Sequence, residues 1–345
     1  MDKDIIKTID KSYEHNAYVT SQIVAYIDLY NVELQKIIQT NLNKASDIET
    51  RYAIFLNHLL FDGNEYYLNN YLLNNIKLLN TQTFKNNPYY KNITFSSFCY
   101  GDVELKKITY KPFMLFPYGE INVDGYKEAN PMGFFTQPFS FPAIFQDKRE
   151  WMMINPNEII TMQESIDQAY GNVLTFGLGL GYFAYMVSLK DNVNTITIVE
   201  KDPKIISIFK KVILPQFEYK QKIIIINDDA IEYMKKTKKP YDFTFGDIWH
   251  DAIDGVTLYI KMKQNEKKMQ CSKFNYWIEK TILYRIRYYI YIVIFDLMDG
   301  LNKTYHESIL NIIKSYFLKL PKLDYEQYLS IDYIKNIFIN NLEIN

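Results

Sequence analysis

Three glycines at alternate positions, Gly177, Gly179 and Gly181, follow the short apolar run 173–176 and precede Tyr182-Phe183-Ala184-Tyr185-Met186-Val187. Without Cβ atoms such a loop lets a ligand approach the backbone closely. A chain that leaves a strand on glycines and re-enters as a helix also places free N–H groups at the sheet edge. The spacing is G-x-G-x-G, one residue tighter than the G-x-G-x-x-G fingerprint of dinucleotide sites. Taken alone, the loop is as compatible with an ordinary turn as with a site for a nucleotide-like ligand. Three acids follow it. Glu200 lies about twenty residues further on, where a carboxylate can accept both hydroxyls of a ribose. Asp229-Ala230 suits an exocyclic amine beside a small residue, and Asp247 stands where a side chain can face the reacting part of a ligand. Asp229 could equally be a helix N-cap and Glu200 a surface charge. It is their joint placement that argues for one site.

That placement depends on strands read from the chain. Apolar runs 173–176, 195–199, 222–226 and 241–245 alternate with helical stretches, which predicts a parallel sheet covered on both faces. The glycine loop and the three acids then fall at the C-terminal ends of four consecutive strands, the edge at which open α/β sheets bind ligands. Asp202-Pro203 and Asp229 open the intervening helices. Asn157, after Pro156, is the cap candidate for a helix over 157–169. Beyond Asp251 the pattern predicts helices over 256–268 and 274–287, a fifth strand over 288–295, and closing helices over 306–318 and 325–339.

Ahead of this unit the chain changes character. Ile23, Tyr26, Ile27, Tyr30, Leu34, Ile37 and Ile38 recur at helical spacing, Asp47 can cap a helix over 51–61, and 65–79 continues as helix. From about Pro88 the signals are strands and turns, with a hairpin expected around Gln146-Asp147-Lys148-Arg149. The segment 130–138, rich in Pro, Gly and aromatics, reads as a loop over a ligand or a packed connector. The expected organisation is a helical section over 1–88, a small β-rich section over 89–156, a Rossmann-like domain over 157–300 and C-terminal helices over 301–345.

Composition bounds the function classes. The chain has 345 residues, 48% of them hydrophobic, enough for two domains or one domain with an appendage. A net charge of −1 provides no global attraction to nucleic acid or anionic membrane. The lysine runs 235–239 and 261–273 read as solvated faces. The 31 tyrosines and 22 phenylalanines accompany abundant Ile, Asn and Lys, a mix that reflects AT-rich coding rather than a binding surface. Cys99 and Cys271 make no metal spacing, and no metal site is expected; His15 and His58 lack nearby ligand partners. There is no signal core, and the most apolar stretch, 288–298, is too short to span a bilayer, so a soluble cytoplasmic protein is expected.

Residues 173–247 resemble the class I S-adenosylmethionine-dependent methyltransferases: Phe-Gly-Leu-Gly-Leu-Gly, then Ile-Val-Glu-Lys-Asp, Asn-Asp-Asp-Ala and Tyr-Asp-Phe-Thr-Phe-Gly-Asp-Ile-Trp. Within that superfamily the chain is most similar to the spermidine-synthase-like branch. Thr175 stands where an acid two residues ahead of the first glycine is lacking in that branch, and a small β section and helix-borne Met162-Gln163-Glu164-Ser165-Ile166 precede strand one. The resemblance implies a Rossmann-like, doubly wound, mostly parallel α/β sheet and S-adenosylmethionine as cofactor. Gly177, Gly179 and Gly181 would line its methionine and ribose end, Glu200 would hold the ribose hydroxyls, and Asp229 with Ala230 would meet the adenine. Phe176 and Lys201 belong to the same motifs, and Asp247 would face the amino group of the cofactor or the nucleophile. The sequence also departs from that branch: its second acid and proline after the strand-four aspartate are replaced by Ile248-Trp249-His250-Asp251.

The expected activity is methyl transfer to a small or medium-sized acceptor. Aminopropyl transfer from the decarboxylated cofactor and a non-catalytic cofactor-binding scaffold are the alternatives. Positioning can supply much of the rate of such a reaction, and Asp247 and His250, with Asp251 behind them, are the candidates for proton transfer. Trp249 is expected either against the ligand or in the core. The partner is expected to be a small-molecule substrate, and the N-terminal helices are the candidate surface for a homodimer.

Overall fold

The computed structural model describes residues 3–42, 47–95, 98–301, 303–320 and 325–344. It divides into two compact units, 2–161 and 162–345, at a point within the helix Pro156–Gln168. Among the described residues no helix is long and apolar enough to cross a membrane.

In the first unit, helices Lys3–Leu29, Val32–Leu42 and Ile48–Phe61 bury one stripe each, with Ile23, Tyr26, Ile38, Tyr52, Leu56 and Leu60 in a common core. Asp47 caps the third helix by accepting from the Thr50 N–H at 3.1 Å, and Asp62 ends it in a left-handed conformation. Ile76–Leu78, expected to be helical, is instead a strand parallel to Met132–Phe134. Its three residues complete the edge of a small sheet, and tertiary pairing overrides the local helical pattern. The segment 130–138 contains the middle strand of that sheet, with Met132 and Phe134 buried, and so is packed rather than a cover. A second, antiparallel sheet runs in the order Phe98–Tyr100, Val103–Tyr110, Phe139–Gln146, Arg149–Met153. Its last hairpin turns through Asp147 and Lys148, both with positive φ, as a two-residue hairpin turn requires.

The second unit is built on five strands: β1 (Gly171–Phe176), β2 (Val193–Glu200), β3 (Ile223–Asn227), β4 (Phe243–Gly246) and β5 (Phe274–Tyr276). All pair in parallel in the order β3-β2-β1-β4-β5. Val173, Leu174, Thr175 and Phe176 are buried in succession, so both faces of β1 are covered. Helices α1 (Tyr182–Ser188), α2 (Pro203–Ile208), α3 (Ala230–Lys236) and α4 (Ala252–Asn265) make the crossovers, and α5 (Glu279–Met298) follows β5. The strand order reverses direction between β1 and β4, which opens a crevice at their C-terminal ends.

The fifth strand is therefore 274–276 and not 288–295, which lies inside the 20-residue helix α5. The stretch 282–294 is apolar at helical spacing as well as β-branched; Ile282, Ile286, Ile290, Val293 and Ile294 all reach the core, and only a helix puts them on one face. The cap of Pro156–Gln168 is Asn155, whose Oδ1 accepts from the Glu158 N–H at 2.9 Å and leaves Pro156 at the first helical position. Asn157 turns instead to the Gly119 N–H at 2.8 Å.

Candidate functional site

Phe176, the last residue of β1, is in register with Val199 on β2 and Gly246 on β4. The ladder continues one step further, since the Gly177 N–H donates to the Val199 carbonyl at 3.0 Å and the Asp247 N–H to the Phe176 carbonyl at 2.9 Å. Gly177, Glu200 and Asp247 thus stand level at the sheet's C-terminal edge. At the usual strand spacing the two acids flank the glycine with Cα atoms on the order of 10 Å apart.

The loop needs its glycines. Gly177, Gly179 and Gly181 all have positive φ, at 92°, 52° and 76°. A Cβ on Gly177 would sit 1.8 Å from the Asp247 carbonyl oxygen, and one on Gly181 would sit 2.4 Å from the Phe209 ring. Close approach of neighbouring chain, as well as conformation, excludes a side chain at both.

Glu200 is tied into this edge by both carboxylate oxygens. Oε2 accepts from the Leu178 N–H at 3.0 Å and Oε1 from the Asp202 N–H at 2.8 Å. Each oxygen keeps lone-pair capacity for a further donor, such as a ribose hydroxyl. Asn227, at the end of β3, donates from Nδ2 to the Glu200 carbonyl at 2.9 Å and to the Lys201 carbonyl at 3.0 Å, bracing the turn that carries the acid. The sequence reading missed both Leu178 and Asn227. An amide side chain at a strand end beside an acidic turn is the signal that points to Asn227. Lys201 holds its place through its backbone, and its side chain is exposed.

Asp229 caps α3, its Oδ1 accepting from the Ile231 and Glu232 N–H groups at 2.9 and 3.1 Å. Its Oδ2 accepts no hydrogen bond from the described residues, so cap and ligand contact are compatible roles. Ala230 beside it is buried. Asp228 next door is ion-paired with Lys236.

Asp247 is the electrostatically unusual member. Its carboxyl receives no donor among the described residues, and burial, reinforced by the negative charge of Glu200, pushes it up to about 7. His250 is exposed, and its N–H donates to Asp254 Oδ1 at 3.1 Å. Asp251 is occupied as the N-cap of α4, in a reciprocal capping box with Asp254. Trp249 is a core residue, only 7% exposed, stacked on Tyr276 at 6.2 Å and edge-on to Tyr259 at 6.4 Å. Lys235 pairs with Glu232, and Lys239 reaches Thr197 Oγ1 at 3.3 Å, so these members of the lysine run have local partners.

The strand order defines a Rossmann-like α/β unit with a glycine loop and two acids at the C-terminal edge of its sheet. Residues 153–274, from the end of the strand Arg149–Met153 to the first residue of β5, match the family described as the spermine/spermidine synthase domain. No curated protein matches the chain. Solved structures with similarity include the spermidine synthase of Thermotoga maritima, at 16% identity over 42% of this chain and 55% of that chain, with a TM-score of 0.31. A spermidine synthase in complex with the transition-state analogue AdoDATO is 18% identical over 37% of this chain and 46% of that one, TM-score 0.29. A conserved hypothetical protein of Streptococcus pyogenes is 14% identical over 31% of this chain and 64% of that one, TM-score 0.26. The chain thus spans 55% and 46% of the lengths of the two synthases.

Proposed function

We propose that the chain is an aminopropyltransferase that uses decarboxylated S-adenosylmethionine and an amine acceptor. The observation that carries this reading is the Asp247 carboxyl, level with Glu200 across the glycine loop and near neutral in its proton affinity. A carboxyl with that affinity takes and returns a proton near pH 7, which an attacking amine requires. The family match over residues 153–274 supports aminopropyl over methyl transfer.

The residues present fit a nucleoside sulfonium. The remaining lone pairs on Glu200 would take the ribose hydroxyls, Asp229 Oδ2 with Ala230 would receive the adenine amine, and the backbone of 177–181 would line the sulfur end. When bound, the sulfonium supplies an electrophilic carbon whose bond pair leaves with sulfur as a neutral thioether. The chain's part is to orient the acceptor nitrogen and to take its proton on an Asp247 carboxylate oxygen.

A second reading, methyl transfer from S-adenosylmethionine, draws support from the residues after Asp247. Ile248 and the core residue Trp249 occupy the place where the spermidine-synthase-like pattern puts a second acid and a proline. Incubation with a diamine and each cofactor, followed by mass spectrometry, separates the two readings. Aminopropylated diamine together with 5′-methylthioadenosine is the expected product, and Asp247→Asn is expected to lower kcat about 10²–10⁴-fold. A methylated product would replace the first reading by the second. Cofactor binding without turnover on any acceptor would point to a scaffold.

A further inference from the structure

We propose that the Glu200–Asp247 pair distinguishes the cationic donor from the neutral nucleoside product by exchanging a single proton for the donor's positive charge. This rests on the aminopropyl-transfer reading and assigns the pair a role in the binding and release steps.

The geometry sets the pair apart from an ordinary acidic edge. Gly177 stands between the two acids in the ladder, and its lack of a side chain lets the Asp247 main chain approach it closely and holds the two acids level on either side. Glu200 is immobilised by two backbone N–H groups, so it cannot swing away from a second negative charge. The Asp247 carboxyl has no donor among the described residues to stabilise its anion. The titratable groups on the surrounding elements do not relieve this. The segment Gly177–Gly181 contains none. On the stretch leading to α4, Asp251 and Asp254 are committed to the helix cap, and His250 is exposed. On β5, the Tyr276 hydroxyl donates to Glu266 at 2.9 Å.

Two carboxylates flank Gly177 with no cation between them among the described residues, and burial with the Glu200 charge favours a proton on the Asp247 member, pushing it up to about 7. A sulfonium or ammonium placed between them supplies the missing positive charge, and the proton leaves to solvent. The order reverses after transfer. The sulfur is then neutral, the proton from the alkylated nitrogen returns to Asp247, and the pair is back in the one-proton state it holds without ligand. The neutral nucleoside has no charge with which to compete for that state, so its release is favoured.

The test is calorimetric titration of the full chain with decarboxylated S-adenosylmethionine and, separately, with the neutral 5′-methylthioadenosine. Each titration is run in phosphate and in Tris, whose different ionisation enthalpies reveal protons released per ligand bound. For the donor, release is expected to fall from near one proton at pH 6 to near zero above pH 8, with affinity rising about tenfold between pH 6 and pH 8. The product is expected to release none and to bind with no such rise. Asp247→Asn is expected to abolish the donor's proton release and its pH dependence, with 5′-methylthioadenosine affinity held within about threefold. Glu200→Gln, which removes the neighbouring charge, is expected to move the release to lower pH. Donor binding without proton release, or equal release by donor and product, overturns the proposal and leaves the transferase reading standing. Binding of neither nucleoside overturns both.

Discussion

Gly177→Ala is the most direct perturbation of the architecture that creates the site. Gly177 has φ 92°, outside the range an alanine adopts without strain, and holding a non-glycine residue there costs on the order of 1–3 kcal/mol. The larger effect is steric. The new Cβ would lie 1.8 Å from the Asp247 carbonyl oxygen, a main-chain atom that cannot rotate away like the end of a side chain. Relief requires β1 and β4 to part at their ends, at the expense of the Gly177–Val199 and Asp247–Phe176 hydrogen bonds, each worth about 1 kcal/mol net. The expected loss is therefore roughly 3–5 kcal/mol, together with loss of nucleoside binding. Gly125→Ala is the matched control. Gly125 also has positive φ, 60°, but an added Cβ there meets nothing within 4 Å, so only the conformational cost of about 1 kcal/mol remains. Urea unfolding followed by hydrogen exchange reads each variant in its own unit, at the amides of 173–177 and of 122–129. If Gly177→Ala proves no more destabilising than Gly125→Ala, the close approach of Asp247 to the glycine loop is wrong, and the level arrangement of the two acids fails with it.

Three further outcomes follow from the same structure. The Asp247 carboxyl is raised in the folded state from 3.8 to about 7, so the fold binds a proton that the unfolded chain has released. Stability of the ligand-free protein should fall between pH 4 and pH 7 by up to about 1.4 kcal/mol per pH unit from this group, level off above pH 7, and lose that slope in Asp247→Asn. Urea midpoints across that range check it, and an unchanged slope in the variant would rule it out. At the head of α3, Asp229→Asn should keep the cap and cost a few tenths of a kcal/mol, whereas Asp229→Ala should cost about 1 kcal/mol; equal losses in equilibrium unfolding would contradict the capping geometry. In the first unit the Tyr26 and Tyr52 hydroxyls lie 2.6 Å apart and both reach the Phe113 carbonyl, at 3.0 and 2.5 Å, so two protons serve three contacts. Tyr52→Phe should cost about 1 kcal/mol because Tyr26 still satisfies that carbonyl, and the two Tyr→Phe changes should show a non-zero coupling in a double-mutant cycle; strictly additive losses would contradict the shared network.

Much of the candidate site's edge was legible in the chain because its signals are local. Glycines that tolerate positive φ, short apolar runs and acids just beyond them are set by residues close in sequence, and β1 to β4 fall within a residue or two of where the pattern puts them. The misreadings fall where a local pattern serves two structures. Residues 288–295 are β-branched and aromatic, and only the requirement that Ile282, Ile286, Ile290 and Val293 reach one core face makes them helix. Residues 76–78 continue a helical pattern and become a strand because Met132–Phe134 offers a free edge. Asn155 and Asn157 are both plausible caps, and the distant Gly119 N–H takes the second out of contention.

The sequence by itself determined which residue types stand at the ends of β1 to β4, because strand length and glycine placement are written locally. Tertiary structure alone decided what those residues become. Register places Gly177, Glu200 and Asp247 level across three strands, and backbone N–H groups from the glycine loop and the head of α2 lock Glu200. Burial, reinforced by that locked charge, pushes the Asp247 carboxyl up to about 7, and both the burial and the charge come from strands distant in the chain. A proton affinity is a property of an environment, and this environment exists only once β2, β1 and β4 lie side by side.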